Sequence, residues 1–385
     1  MKAHPLKLLM PLACTALMTA TCMQGNGFAG PNWPSDKELT YLDLGTHDVK
    51  DTGGYSGELL LKVPEDATSV VVHCGGFGSA LAAPWKVTAP DGRMVYDGDK
   101  PDEGEIRAEF TDDLSALVMP MHPGNPLTAG EWKIDYWVGK NNTGKVECGA
   151  VLRTDPVEEI AKLGMEFVMV GLPGINATNA RENEAFMAFV KSLEKELAGA
   201  KVELVWDVVD FKGDVDKFTV LEISDDDLTE FNALLKQGKP SSKRVINVFM
   251  VQEISNLSAG SATILGLSAG PPGSAGLSGT SKSGLAVSAL DLEHAPEDVS
   301  MILSHELGHF LGLFHTTEKN GSKHDPLSDT PECLEDGNEN GVRNTHECTK
   351  AGSDNVMWWT LQQDGKRKPM SEEQSWLLRR SAAAD

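Results

Sequence analysis

Between residues 30 and 155, apolar and β-prone residues occur in short runs. The clearest runs are Leu59 to Val63, Ser69 to Cys74 and Trp132 to Trp137. Turn-forming Pro-Asp-Gly and Gly-Asn-Pro sequences lie between them, and no helical period is recognisable. The pattern predicts an all-β sandwich over residues 30–155.

After Thr154-Asp155-Pro156 the pattern changes to strands that alternate with helices. Buried strands are predicted over 165–171, 202–209 and 244–251. Helices are predicted over 179–198 and 226–235, from about Pro296, and from Ser371. This alternation predicts an α/β layer. We therefore expect a two-domain α+β protein, with an accessory domain or pro-domain at 30–155 and an α/β domain at 156–385.

A Gly/Ser-rich stretch covers residues 257–284 and includes Pro271-Pro272. A loop of this length inside a compact domain is usually functional or mobile. The apolar run from Gly284 to Leu290 follows it and has the character of an edge strand.

Charge limits the classes of partner. The 385 residues include 57 acidic and 34 basic side chains, giving a formal charge of −23. This balance argues against nucleic acid and anionic membranes and favours solubility. No apolar run after the N-terminal segment is long enough for a transmembrane helix.

The first 29 residues have the features of an export signal. Lys2 and Lys7 precede an apolar run from Leu8 to Met23, and Gly27-Phe28-Ala29 offers small residues for cleavage near Gly30. We expect a secreted protein. The alternative is a lipid anchor at Cys22.

Four of the six cysteines lie outside that segment. In an oxidising compartment the simplest pairing is Cys74 with Cys148 and Cys333 with Cys348, although other connectivities remain open. A different role for Cys74 is a thiolate that keeps a metal centre latent.

The chemistry concentrates in His305-Glu306-x-x-His309-x-x-Gly312-x-x-His315. Histidines four residues apart share a helix face, and a glycine can turn the chain back so that a third imidazole arrives. Three neutral imidazoles and an open position are how catalytic zinc is held. Glu306 is placed to act on a water as general base.

This motif resembles the metzincin zinc metalloproteases. Asp329-Thr330-Pro331 and Asn355-Val356-Met357 are similar to the pappalysin-type branch, and the resemblance spans about residues 160–385. It implies a twisted sheet, a methionine turn at Met357 and a C-terminal helix. It also implies a strand that pairs with substrate by β-augmentation, here Gly284, Leu285, Ala286 and Val287. Residues 30–155 loosely resemble the jelly-roll sandwiches of secreted bacterial peptidases.

One position departs from that branch. Trp359 stands where a tyrosine usually supports the transition-state oxyanion, and all four tyrosines lie within the first 136 residues. The Trp359 indole N–H either donates this hydrogen bond or the ring only packs.

Further polar residues follow the zinc motif. His324 and His346 are expected to be solvated loop histidines. The acids from Asp325 to Glu339, with Gly337 and Asn338, offer oxygen ligands for Ca²⁺. Within those bounds they lack the regular EF-hand spacing, so a solvated acidic loop is the alternative.

Together these features predict a zinc-dependent endopeptidase acting on proteins or peptides. The rivals are a zinc-binding module with decayed activity that docks a protein or glycan, and a non-peptide amide hydrolase. Side-chain preference, removal of 30–155 and the oligomeric state are left open.

Overall fold

The computed structural model describes residues 31, 33–49, 54–76, 82–108, 114–138, 144–224, 227–258, 262–334, 336–360 and 368–385. The predicted export signal, with Cys14 and Cys22, lies outside these residues. By its contacts, the chain from Asn32 to Asp385 makes one compact unit. It is a mixed α/β structure with several sheets and few helices. None of the described helices has the length and apolarity of a membrane span.

The first part of the chain folds into two four-stranded antiparallel sheets. Its strands are β1 Leu39–Val49, β2 Gly54–Val63, β3 Ser69–Gly76, β4 Ala82–Thr88, β5 Met94–Asp97, β6 Leu114–Met119, β7 Gly130–Val138 and β8 Gly144–Arg153. The sheet orders are β1-β8-β3-β6 and β2-β7-β4-β5, and β4 contacts β3 and β6 across the two sheets.

The inner faces of these sheets follow the side-chain alternation of strands. In β7, Trp132, Ile134 and Tyr136 are buried, whereas Glu131 before Trp132 and Lys133 after it are exposed. The three runs identified in the sequence lie in β2, β3 and β7. Whether residues 30–155 count as a separate domain remains a prediction.

The second part combines a five-stranded sheet with helices. Its strands are β9 Ala161–Met169, β10 Val202–Asp210, β11 Val220–Ile223, β12 Val245–Val251, β13 Glu253–Asn256, β14 Ala262–Ile264, β15 Gly266–Ser268 and β16 Gly284–Ser288. The main sheet has the order β10-β9-β12-β16-β15, parallel except for β15, and β11-β13-β14 form a smaller sheet.

Five α-helices accompany these strands in the described part of the chain: α1 Glu184–Gly199, α2 Val215–Phe218, α3 Thr229–Leu235, α4 Pro296–Phe310 and α5 Glu372–Arg380. The helix predicted from residue 179 begins at Glu184, because Asn183 caps it by accepting from the Phe186 N–H; a 3-10 turn at Ala180–Glu182 precedes it. Helix α4 packs on α1 and carries Pro296 at its first turn.

The expectation that Gly284, Leu285, Ala286 and Val287 form a free edge is wrong. Strand β16 is buried throughout and lies inside the sheet, between β12 and β15. The Gly/Ser-rich stretch before it is not a plain loop, since it contains β14 and β15. The short strand β15 therefore forms the edge of the sheet.

Buried charges join the two parts of the chain. The Asp155 carboxylate accepts from Arg153 Nε at 2.8 Å and from Arg244 Nη2 at 2.6 Å. Both arginines are fully buried. Arg153 also donates to the Ser381 carbonyl at 3.1 Å, and Arg244 donates to the Ala384 carbonyl. The C-terminal residues thus lie beside the start of β12 and the end of β8.

Candidate metal centre

Helix α4 and the turn after it bring three histidines to one point. His305 and His309 lie one helical turn apart on α4. Gly312 has φ +107°, and the Leu313 N–H donates back to the Gly308 carbonyl at 2.8 Å, so the helix ends and His315 returns to the site. The structure therefore places all three predicted ligands together.

The spacing of the imidazoles fits a tetrahedral zinc ion. Their Nε2 atoms are separated by 3.1 Å (His305–His309), 3.1 Å (His309–His315) and 3.3 Å (His305–His315). Zn–N bonds of about 2.0–2.1 Å at tetrahedral angles place two ligand nitrogens about 3.3–3.4 Å apart. The donor set thus suits this metal without rearrangement.

The other ring nitrogen of each histidine has its own acceptor. His305 Nδ1 lies 2.7 Å from the Val356 carbonyl, and His309 Nδ1 lies 2.8 Å from the Leu313 carbonyl. His315 Nδ1 lies 3.0 Å from Glu318 Oε1. Such contacts place the proton on Nδ1 and leave Nε2 free to bind a metal. Burial lowers the pKa of His309 to about 3, which keeps its ring neutral.

Glu306 lies beside the histidines and against strand β15. A Cβ added at Gly266 would come 2.7 Å from Glu306 Cγ, so the absence of a side chain there makes room for the carboxylate. Burial raises the pKa of Glu306 to about 8, and a hydrogen bond from the Ser268 backbone opposes this rise. The carboxylate is thus enclosed by the edge strand and the zinc helix.

Two glycines after β15 hold this edge against the end of α4. A Cβ at Gly270 would overlap the His309 carbonyl, and a Cβ at Gly273 would overlap the Phe310 ring. The Gly273 N–H also donates to the Phe310 carbonyl at 2.9 Å. The glycine-rich character of this stretch therefore serves close packing against the zinc helix.

Met357 lies directly against the zinc helix. It is fully buried, and its side chain occupies the space that a Cβ at Gly308 would need. The Met357 N–H donates to Asn355 Oδ1 at 2.8 Å. Asn355 and Gln374 of α5 exchange two amide hydrogen bonds, each 3.0 Å long. The C-terminal helix thus supports the segment that carries Met357.

Trp359 does not face the histidines with its indole N–H. That N–H donates to the Arg343 carbonyl at 2.7 Å, and Lys319 Nζ lies 5.7 Å from the ring. Of the two roles considered for Trp359, the geometry favours packing over oxyanion support.

The remaining predicted residues are not part of the three-imidazole cluster. Cys74 is bonded to Cys148 and Cys333 to Cys348, so Cys74 has no free thiolate for a latent metal centre. His324 Nδ1 contacts the Thr317 hydroxyl at 3.2 Å, and His346 is exposed. Neither histidine joins the cluster.

Two elements of the site were not recognised in the sequence. Glu318 follows the third histidine by three residues, a spacing that could have indicated a carboxylate partner for its ring. Strand β15 is only three residues long, and Gly266-Leu267-Ser268 is indistinguishable from loop sequence.

A comparison with protein families finds a match, and it covers the part of the chain that contains the three histidines. Residues 232–365, about a third of the chain, match a peptidase family model described as pregnancy-associated plasma protein-A. No curated protein matches the chain.

Solved structures with some likeness include archaemetzincin from Methanopyrus kandleri, at 17% identity and a TM-score of 0.30, covering 58% of this chain and 97% of that one. Metalloproteinase-II from Bacteroides fragilis has 10% identity and a TM-score of 0.31, covering 60% of this chain and 62% of that one.

The family match includes α4, all three histidines and Met357. It confirms the resemblance of this chain to the pappalysin-type metzincins over residues 232–365.

Proposed function

We propose that this chain is a secreted zinc endopeptidase. The observation that carries the proposal is the convergence of three Nε2 atoms within 3.3 Å of one another, with Glu306 beside them. The family match over 232–365 supports a peptidase, and the two disulfides are consistent with an oxidising compartment outside the cell.

His305, His309 and His315 would hold the zinc ion. When bound, zinc acts as a Lewis acid toward the scissile carbonyl and lowers the pKa of water. In its carboxylate form, which a cation held by the neighbouring histidines would favour, Glu306 takes the proton from the attacking water and passes it to the amine that leaves. The Ser268 N–H orients the Glu306 carboxylate from the edge strand, so the base is held before substrate arrives.

Substrate would lie along β15 rather than β16. Strand β15 is the edge of the sheet, contacts α4 and encloses Glu306. An extended peptide that adds to this edge by backbone hydrogen bonds would pass next to the three histidines. This arrangement favours unfolded or loop segments of proteins as substrates.

The Glu306→Gln variant tests the proposal. We expect it to bind zinc as the wild type does but to lose about 10²–10⁴-fold in kcat/KM on casein, because the amide cannot accept the proton. Glu297→Gln removes an exposed carboxylate from the same helix and should retain activity. Near-normal proteolysis by Glu306→Gln would reject Glu306 as the base.

The same assay separates the rivals. A chelator should abolish casein cleavage by the wild type, and added zinc should restore it. Zinc binding without any hydrolysis would favour a decayed binding module, and hydrolysis confined to small amides would favour a non-peptide amidase.

A further inference from the structure

A loop between Cys333 and Cys348 has the spacing of a calcium-binding loop. It begins with Asp336-Gly337-Asn338-Glu339-Asn340-Gly341 and has Glu347 six residues after Gly341. Asp-x-Asn-x-Asn-Gly, five residues and Glu is the 12-residue pattern in which positions 1, 3, 5, 7 and 12 ligate the ion. The acidic segment considered from the sequence ended at Glu339 and so divided this pattern.

The backbone of the loop has the corresponding turn. Gly341, at the sixth position, has φ +77°, and its N–H donates to Asp336 Oδ2 at 2.8 Å. The Asn340 N–H donates to Asn338 Oδ1 at 3.0 Å, and the Val342 N–H donates to Asn340 Oδ1 at 2.8 Å. The chain therefore wraps around the side chains of the first, third and fifth positions.

The last carboxylate of the pattern, on Glu347, reaches back to the start of the loop at Gly337. Glu347 Oε1 lies 3.6 Å from the position of a Cβ at Gly337, next to Asp336. Asp336 Oδ2 pairs with Arg343 Nη1 at 3.0 Å, whereas Asp336 Oδ1 is buried and has no hydrogen-bond partner among the described residues. A buried carboxylate oxygen without a partner is costly, and a cation beside it would remove that cost.

We propose that residues 336–347 bind one Ca²⁺ ion. The ligands are the side chains of Asp336, Asn338, Asn340 and Glu347 and the carbonyl of Val342. Hard oxygen donors of this kind select calcium over transition metals. With only two carboxylates among them, the site should bind weakly, with a Kd on the order of 10⁻⁴ M, as in extracellular calcium modules.

The loop is connected to both sides of the histidine cluster. Within it, the Arg343 N–H donates to the Lys319 carbonyl at 2.8 Å, and the Arg343 carbonyl accepts from Trp359 Nε1 at 2.7 Å. Lys319 follows Glu318, the partner of His315, and Trp359 follows Met357 by two residues. Calcium in this loop would therefore fix the two segments that flank the metal centre.

The experiment is a calcium titration of the full chain with zinc bound. The chain carries Glu306→Gln, which prevents self-cleavage. The thermal midpoint of unfolding and the heat of calcium binding are measured. Saturating Ca²⁺ should raise the midpoint by about 5 °C, and Mg²⁺ at the same concentration should do much less. Neither measurement involves hydrolysis. A protein that does not bind calcium would therefore contradict the calcium proposal and leave the peptidase proposal unaffected.

Variants within the loop test whether the calcium ion binds there. Glu347→Gln and the exposed Asn338→Ala should each weaken calcium binding by about tenfold or more. Glu339→Gln removes an exposed carboxylate at a position that does not ligate, and it should bind as the parent does. No calcium binding by the parent protein would overturn the proposal, as would equal binding by parent and Asn338→Ala.

Discussion

At the scale of single residues, Glu318 is the side chain whose role is best defined by geometry. Its carboxylate is the only side chain among the three Nδ1 acceptors, because His305 and His309 use backbone carbonyls. It can therefore be changed by mutation without moving the backbone. It orients His315 and makes the ring a stronger donor to a metal.

We expect Glu318→Ala to lower zinc affinity by about 10–100-fold in competition with a chelator. Glu318→Gln should lose less, since its amide oxygen can still accept from Nδ1–H. The thermal midpoint of the zinc-free protein should change little in both variants. Unchanged zinc affinity in Glu318→Ala would show that the contact does not position His315.

Asp325 makes stability depend on pH. Burial raises its pKa from 3.8 to about 7, more than the hydrogen bonds from Thr330 and Leu327 lower it. The folded state therefore holds a proton that the unfolded state releases, so the contribution of Asp325 is most favourable below pH 4 and is lost as pH rises through 7. The other charges acting on it are Asp329 and Arg107.

Asp325→Asn keeps the shape of the side chain but cannot ionise. Relative to this variant, the wild type should lose about 4 kcal/mol of unfolding free energy between pH 4 and pH 8. Urea unfolding at several pH values measures the difference. Asp66→Asn, at an exposed position, serves as the control. A difference that stays constant with pH would contradict the assignment.

At the scale of elements, the segment carrying Met357 depends on helix α5. The Asn355–Gln374 amide pair is buried, and Gln374 also accepts from the Ser371 N–H at 2.9 Å in a capping box. One side chain thus both caps the helix and holds the segment beneath the histidines.

Gln374→Ala should destabilise the protein by about 1–3 kcal/mol, because it leaves the Asn355 amide buried without its partner. We also expect weaker zinc binding, since His305 Nδ1 contacts the Val356 carbonyl in the same segment. Glu372→Ala changes an exposed residue in the first turn and is the control. A loss of stability with unchanged zinc affinity would mean that α5 does not support the metal centre.

Elements differed in how far the sequence could predict them. The zinc helix was predictable because its ligands recur with the helical period and Pro296 marks its start. Strand β16 was recognised, but its apolar run does not reveal which strand covers its edge. That depends on β15, whose three residues carry no strand signal. Which strands pair with each other depends on contacts between residues far apart in the sequence, and local patterns do not contain that information.

At the scale of the whole molecule, the sequence predicted two regions but not the contact between them. Arg153, Asp155 and Arg244 are spread over ninety residues, and no local pattern indicates that they meet. Their cluster connects β8, the segment after it and the start of β12. A second part isolated from residue 156 onward would lose both Arg153 and Asp155, and Arg244 would lose its carboxylate partner.

Asp155→Asn tests the importance of this contact. It leaves two fully buried arginines without the carboxylate between them, so we expect a loss of about 3–5 kcal/mol in urea unfolding at pH 7. Asp99→Asn, which removes an exposed partner of Lys86, should have little effect. If the sheets before Arg153 were a separable prosegment, the β part and the α/β part would unfold in two independent transitions. A single cooperative transition lowered as a whole would instead mean that both parts unfold together, because the buried charges make each part necessary for the other.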